Sequence, residues 1–144
     1  MSRSTQGPKN LEAILRWSFI ASILVITAVG LVLGPSIGPF DESGIGDSFA
    51  AIAFLVALVT FVMMRAVILP SMASNPAMPL QNLAIVGYAF AESPAILGLV
   101  AALLSGRGWV ALAFGLVALL AIASAAQYTM HVEQQRADLD FPRL

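Results

Sequence analysis

The chain has 144 residues, of which 59% are hydrophobic and 10% are charged, with a net charge of -1, one histidine and no cysteine. A soluble domain carries about 25% charged residues, so this chain has too few charges to cover the surface of a water-soluble globule. The lack of cysteine excludes disulfides and thiolate chemistry, a lone His131 does not make a zinc centre, and the balanced charge gives no basic patch for nucleic acid. We therefore expect no enzyme activity, no catalytic residues, no metal site, no cofactor and no nucleic-acid partner.

Four apolar runs are each long enough to cross a bilayer, which takes about 20 residues of helix. They cover residues 11–33, 49–69, 83–104 and 109–126. A backbone in hydrocarbon must satisfy its own hydrogen bonds, so each run is predicted to be helical. The first run is longer than the apolar core of a signal peptide, about 7–15 residues, and we interpret it as a retained helix. The sequence thus predicts an all-α membrane protein, a single membrane domain of four transmembrane helices.

The last two apolar runs are joined by the short segment 105–108 (SGRG), which predicts an antiparallel hairpin. Residues 127–144 are polar and mixed in sign. We interpret them as a cytoplasmic tail into which the fourth helix continues before Pro142. His131 lies in this tail, and we expect it to be solvated or interfacial.

The basic residues are unevenly distributed between the two sides of the predicted bundle. If the N-terminus is inside, the inner side holds Arg3, Lys9, Arg16, Arg65, Arg136 and Arg143. The outer side then holds Arg107 together with Asp41, Glu42 and Asp47. The positive-inside rule therefore predicts that both termini are cytoplasmic. We expect an integral protein of a plasma membrane, such as the inner membrane of a bacterium.

Glu92 is the most informative single residue, because it interrupts the third apolar run with apolar turns on both sides. An ionised acid at the bilayer centre costs at least about 2.5–3.5 kcal/mol. Either the carboxyl is protonated, or a partner or a cation meets it from elsewhere. Intramembrane acids are therefore candidates for binding a proton or a small cation.

The neighbours of Glu92 supply further oxygen atoms. Tyr88 lies one turn earlier, where its hydroxyl is predicted to reach the carboxyl, and Ser93 follows directly. Pro94 has no N–H, so it is predicted to free the carbonyl of Phe90 and to kink the helix. We take Glu92, Ser93 and Tyr88 as the candidate site for a proton, water or a sodium ion.

Small residues form a stripe along the same helix at spacings of three and four. The stripe consists of Gly87, Ala91, Ala95, Gly98 and Ala102. Small residues at this spacing allow another helix to approach closely, and the fourth run offers the matching pair Ala111 and Gly115. Plain helix packing explains the stripe equally well without any function.

The third run resembles the second helix of subunit c of rotary ATP synthases. The likeness rests on Ala89-Phe90-Ala91-Glu92, followed by Ile96, Gly98-Leu99-Val100 and Ala102-Leu103, with Ser74-Asn75-Pro76 near the position of that family's polar loop. It covers about residues 74–104. The resemblance implies that Glu92 is the ion-carrying carboxylate, that the ion is a proton or sodium, and that the protein forms a homo-oligomer or joins other membrane subunits.

The remainder of the chain departs from that family. The second run has no glycine, whereas the family packs a glycine-rich first helix into a tight ring, and Ser74 stands where the family has arginine. The chain also has four predicted helices, with its acid on the third. Two hypotheses stay open: an ion-binding subunit, and a structural accessory subunit of a larger membrane complex in which Glu92 is a buried, hydrogen-bonded anchor.

Overall fold

Four long helices make up the part of the chain that the computed structural model describes, residues 7–37 and 44–140, with side chains for 10–37 and 44–139. They are α1 (Gly7–Ile37), α2 (Ile45–Ala73), α3 (Leu80–Ser105) and α4 (Gly108–Asp140). Each of them is long and apolar enough to cross a membrane. The predicted class, an all-α membrane protein with four transmembrane helices, is confirmed.

The helices are longer than the apolar runs that predicted them, and the difference is greatest for α4. Its helix continues through the polar segment that we interpreted as a tail, as far as Asp140. Thr129 and Val132 in this extension are 3% and 5% exposed, so one side of it packs against the bundle and keeps it helical. Arg3, Asp41, Glu42, Pro142 and Arg143, on which parts of the tail and orientation predictions depend, lie outside the described residues, as does the side chain of Lys9.

A wide turn interrupts α2 near its C-terminal end. The segment Met64–Ile68 is π-helical between the α-helical segments Ile45–Met63 and Leu69–Ala73. Pro70 lies just beyond it, and a proline neither donates the usual hydrogen bond nor tolerates the carbonyl four residues earlier. The N–H of Leu69 reaches back to the carbonyl of Met64, five residues away. The helix therefore accommodates Pro70 by widening one turn.

Helix α3 packs against each of the other three helices, and α1 also packs against α4. The contacts between α3 and α4 run in opposite directions along the two helices: Gly87 faces Ala125, and Gly98 faces Phe114. Alanine dominates the central layer of the core. Alanine side chains let the helix axes approach closely, which compensates for the weak hydrophobic driving force between helices in lipid.

Glycines bring the backbones together at one end of the bundle. A Cβ added to Gly46 of α2 would lie 2.5 Å from the carbonyl oxygen of Leu104 in α3. One added to Gly34 of α1 would lie 3.1 Å from the carbonyl oxygen of Ala102, and Gly108 at the start of α4 packs against the backbone of Leu31. At this end the helices meet backbone to backbone.

Long side chains connect the helices at the opposite end. Arg136 of α4 donates hydrogen bonds to the carbonyls of Met78 at 2.7 Å and Asn75 at 3.1 Å, in the loop between α2 and α3. The guanidinium of Arg65 in α2 lies 4.7 Å from the ring centre of Tyr128 in α4. These contacts attach the extension of α4 to the end of α2.

Candidate functional site

Glu92 lies at the midpoint of α3, and Ser22 lies at the midpoint of α1. The Ser22 hydroxyl donates a hydrogen bond to Oε1 of Glu92. The two residues are brought together because α1 packs along α3, which the sequence did not predict. The carboxyl therefore has a hydroxyl partner from another helix, near the middle of both helices.

An open cavity of about 170 Å³ adjoins the carboxyl and is lined by Ser18, Phe19, Ser22 and Glu92. One water takes up about 30 Å³ in the liquid, so the cavity has room for a few waters or a partly hydrated ion. Ser18 and Ser22 are one helical turn apart, which places both hydroxyl-bearing residues on the side of α1 that faces the cavity. Glu92 is half-buried, so its carboxyl is reached from the surface of the bundle.

Tyr88 has a different partner from the predicted one. Its side chain is fully buried, and its hydroxyl donates a long hydrogen bond of 3.5 Å to Oε1 of Glu12 in α1. Long side chains on a helix point back toward its N-terminus, so the Tyr88 hydroxyl extends away from Glu92 rather than toward it. The Tyr88 ring packs against Phe19 at 5.9 Å between ring centres. Tyr88 thus supports the wall of the cavity, while its hydroxyl serves a separate polar contact.

Ser93 and Pro94 do not join the cavity. Ser93 is half-buried but does not line it, because each successive residue turns the helix by about 100°. Pro94 is buried, and α3 continues through it without a break. Of the predicted site residues, Glu92 alone lines the cavity.

The five residues of the small-residue stripe are all buried. Gly87 and Gly98 face α4, as described above, and Ala91 and Ala95 belong to the alanine-rich core layer. The matching pair proposed on α4 contacts α1 as well: Gly115 packs against Thr27, and Ala111 packs against Gly30. The stripe therefore serves close packing, with the Glu92 carboxyl at its edge.

Sequence reasoning missed the residues that α1 contributes, namely Glu12, Ser18 and Ser22. A usable signal was present, since Ser18 and Ser22 are four residues apart in an apolar run and so share one helical face. Their partner on α3 was not predictable from that spacing. It depends on which face of α1 packs against α3.

The chemistry available at the cavity is that of oxygen ligands, a carboxyl and two hydroxyls. Oxygen atoms suit a proton, water or a hard cation. Within residues 7–37 and 44–140, no three His, Asp or Glu side chains converge in a way that would hold a metal ion.

No protein-family model matches the chain, and neither a curated protein nor a solved structure is significantly similar to it. The fold and the helix composition define a small integral membrane protein.

Proposed function

We propose that the protein is a small subunit of a membrane complex that binds a proton or a sodium ion at Glu92, similar to subunit c of rotary ATP synthases. The observation that carries the proposal is the Ser22–Glu92 hydrogen bond at the midpoint of two transmembrane helices, beside an open cavity. The chain resembles subunit c in the residues around Glu92 and differs from it in the number and packing of its helices.

The energetics favour a bound proton or cation. An ionised carboxyl at this depth costs at least about 2.5–3.5 kcal/mol, and one hydroxyl donor offsets part of that cost. Among the described residues, the one ion pair joins Arg107 to Asp47, at the end of the bundle where the glycines lie. Glu92 has no cationic side chain as its partner in that part of the chain, so the charge is balanced most simply by a proton or by a cation.

The direction of the cavity supports a role within an assembly. The cavity opens at the outer surface of the bundle between α1 and α3, so a neighbouring copy or another membrane subunit can cover it. Membrane proteins place charged groups against protein or water rather than lipid. We therefore propose a homo-oligomer or a complex with other subunits, with the lipid bilayer as the remaining surroundings.

The positions of the cationic residues support the proposed orientation. Arg136 and Arg65 lie at the end of the bundle that also holds the start of α3, and Glu12 of α1 contacts Tyr88 in that half. Arg107 lies at the other end, paired with Asp47. By the positive-inside rule we propose that the end holding Arg136 faces the cytoplasm of a bacterial cell and that both termini lie on that side.

Carbodiimide labelling tests the ion site. A hydrophobic carbodiimide reacts with protonated carboxyls in apolar surroundings, so we expect Glu92 to be modified near neutral pH in the detergent-solubilised full chain. Glu92→Gln abolishes the modification, whereas Glu133→Gln, which removes an exposed carboxyl from α4, leaves it unchanged. Protection by sodium but not by potassium identifies sodium as the ligand. No modification of Glu92 in the folded protein would refute the proposal.

The alternative is a structural accessory subunit in which Glu92 anchors α1 to α3. The Ser22–Glu92 hydrogen bond favours it, as does the exposed apolar face of α2, which has no glycine between residues 49 and 69. Under this alternative, a large membrane partner co-purifies with the protein, and Glu92→Gln, which keeps a hydrogen-bond acceptor, preserves that association. Under the ion-binding proposal, the same variant still assembles but no longer binds a proton or a sodium ion at residue 92. Particle mass in detergent separates a ring of copies from a single copy.

A further inference from the structure

A second, larger cavity of about 430 Å³ lies between α2 and α4, at the end of the bundle where the glycines bring the backbones together. Its volume is within the range of small-molecule sites, about 300–1,000 Å³. It is far from Glu92 along the helices, since it is lined near the starts of α2 and α4. It is therefore independent of the proposed ion site.

The mouth of this groove is charged and half-exposed. Arg107 Nη2 lies 3.0 Å from Asp47 Oδ2, with the two side chains 52% and 48% exposed. Trp109 stands beside the pair and is 62% exposed. Tryptophan is enriched where hydrocarbon meets the headgroups, so this mouth has the composition of a membrane–water interface.

The interior of the groove is apolar. Ala50, Ala51 and Ala113 leave a recess because their side chains are short, and Phe54 and Phe114 close it with rings in edge-to-face contact at 5.5 Å. From Asp47 to Phe54 the helix rises about 10 Å, against about 15 Å for one leaflet of hydrocarbon. The recess thus runs from the interface through most of one leaflet.

We infer that this groove binds a phospholipid whose headgroup carries both a phosphate and a primary ammonium, as phosphatidylethanolamine does. The phosphate pairs with the Arg107 guanidinium, the ammonium donates hydrogen bonds to the Asp47 carboxylate, and an acyl chain fills the recess above Phe54. Charge-assisted hydrogen bonds of this kind are stronger than neutral ones. A lipid meets both requirements of the groove, a zwitterionic head at the interface and a chain in hydrocarbon.

Charge complementarity selects this headgroup over the others. A choline headgroup has the same charges, but its quaternary ammonium has no N–H to donate to Asp47. A glycerol headgroup is anionic and has no cation for Asp47, so the carboxylate repels it. We therefore expect the primary ammonium to be preferred by roughly two- to fivefold over choline, which corresponds to one exposed charged contact.

Native mass spectrometry of the full chain, with lipids of equal acyl chains titrated into the detergent solution, measures this preference. We expect the order of retention to be phosphatidylethanolamine, then phosphatidylcholine, then phosphatidylglycerol. Asp47→Asn removes the preference for ethanolamine over choline, and the matched control Glu133→Gln, an exposed carboxyl on the opposite half of α4, does not. Equal retention of the three lipids by the unaltered protein would overturn the inference.

A second variant tests the apolar half of the site without altering its charges. Ala113→Leu fills the recess, and we expect it to lower the retention of all three lipids while the helix content by circular dichroism stays unchanged. If Ala113→Leu leaves retention as it was, lipid does not occupy the groove. The measurement on the unaltered protein decides the headgroup question even if Asp47→Asn fails to fold.

Discussion

A single hydroxyl determines much of what the Glu92 carboxyl can do. The Ser22 hydroxyl donates to Oε1 of Glu92, and the carboxyl borders the open cavity. Because the carboxyl is only partly buried and borders the open cavity, water can replace part of this bond when the hydroxyl is removed, so the cost is close to the net contribution of one hydrogen bond.

Ser22→Ala is expected to lower the free energy of unfolding by about 0.5–1.5 kcal/mol, the usual range for one such bond. Ser18→Ala is the matched control, because Ser18 lines the same cavity, and the Glu92 hydrogen bond is made by Ser22. Equilibrium unfolding in mixed detergent micelles measures both variants. Equal destabilisation by the two substitutions would contradict the assignment of Ser22 as the donor.

The position of Glu92 inside an apolar helix was predictable from the sequence, whereas its partner was not. An acid flanked by apolar turns is expected within hydrocarbon whatever the tertiary structure, so the sequence alone predicts that its charge is costly. The choice of Ser22 depends on how α1 rotates against α3. Tyr88 is a related case. Helical spacing predicted that its hydroxyl would reach Glu92, but the side chain points toward the start of α3, and the hydroxyl donates a hydrogen bond to Glu12 instead.

Each apolar run became a helix, since backbone hydrogen bonding in lipid permits little else. The ends of the helices were less predictable. The polar segment after residue 126 has no membrane-spanning pattern, and it is helical because Thr129 and Val132 pack inward and Arg136 connects it to the loop before α3. The π-helical turn in α2 follows from Pro70 and was not predicted.

The contact between α3 and α4 depends on glycine at one position more than at others. A Cβ on Gly98 would overlap Cβ of Phe114, whereas one on Gly87 would lie 3.0 Å from Cβ of Ala125. Gly98→Ala is therefore expected to destabilise the bundle by about 1–3 kcal/mol through overpacking, and Gly87→Ala by less. Thermal melting in detergent orders the two variants, and a larger loss from Gly87→Ala would contradict the described contact.

The bundle as a whole has two different ends, and the absence of cysteine makes them easy to distinguish by labelling. Ser48 is exposed near the Asp47–Arg107 end, and Gln134 is exposed near the Arg136 end. We expect a membrane-impermeant maleimide to label Ser48→Cys in intact cells and Gln134→Cys only after the membrane is permeabilised. Labelling of both from the same side would refute a four-helix crossing, and the reverse pattern would reverse the proposed orientation.

The backbone contacts at Gly34, Gly46 and Gly108 have a mechanical consequence. Helices that touch through main-chain atoms have almost no room to slide or tilt there, whereas helices connected by arginine side chains can change their separation by altering rotamers. The helix separations are therefore fixed most tightly at the end of the bundle that holds these glycines. A movement that widens the gap between α1 and α3 is therefore expected to be smallest at Gly34 and largest at the end where the Tyr88 hydroxyl contacts Glu12, with Glu92 between the two.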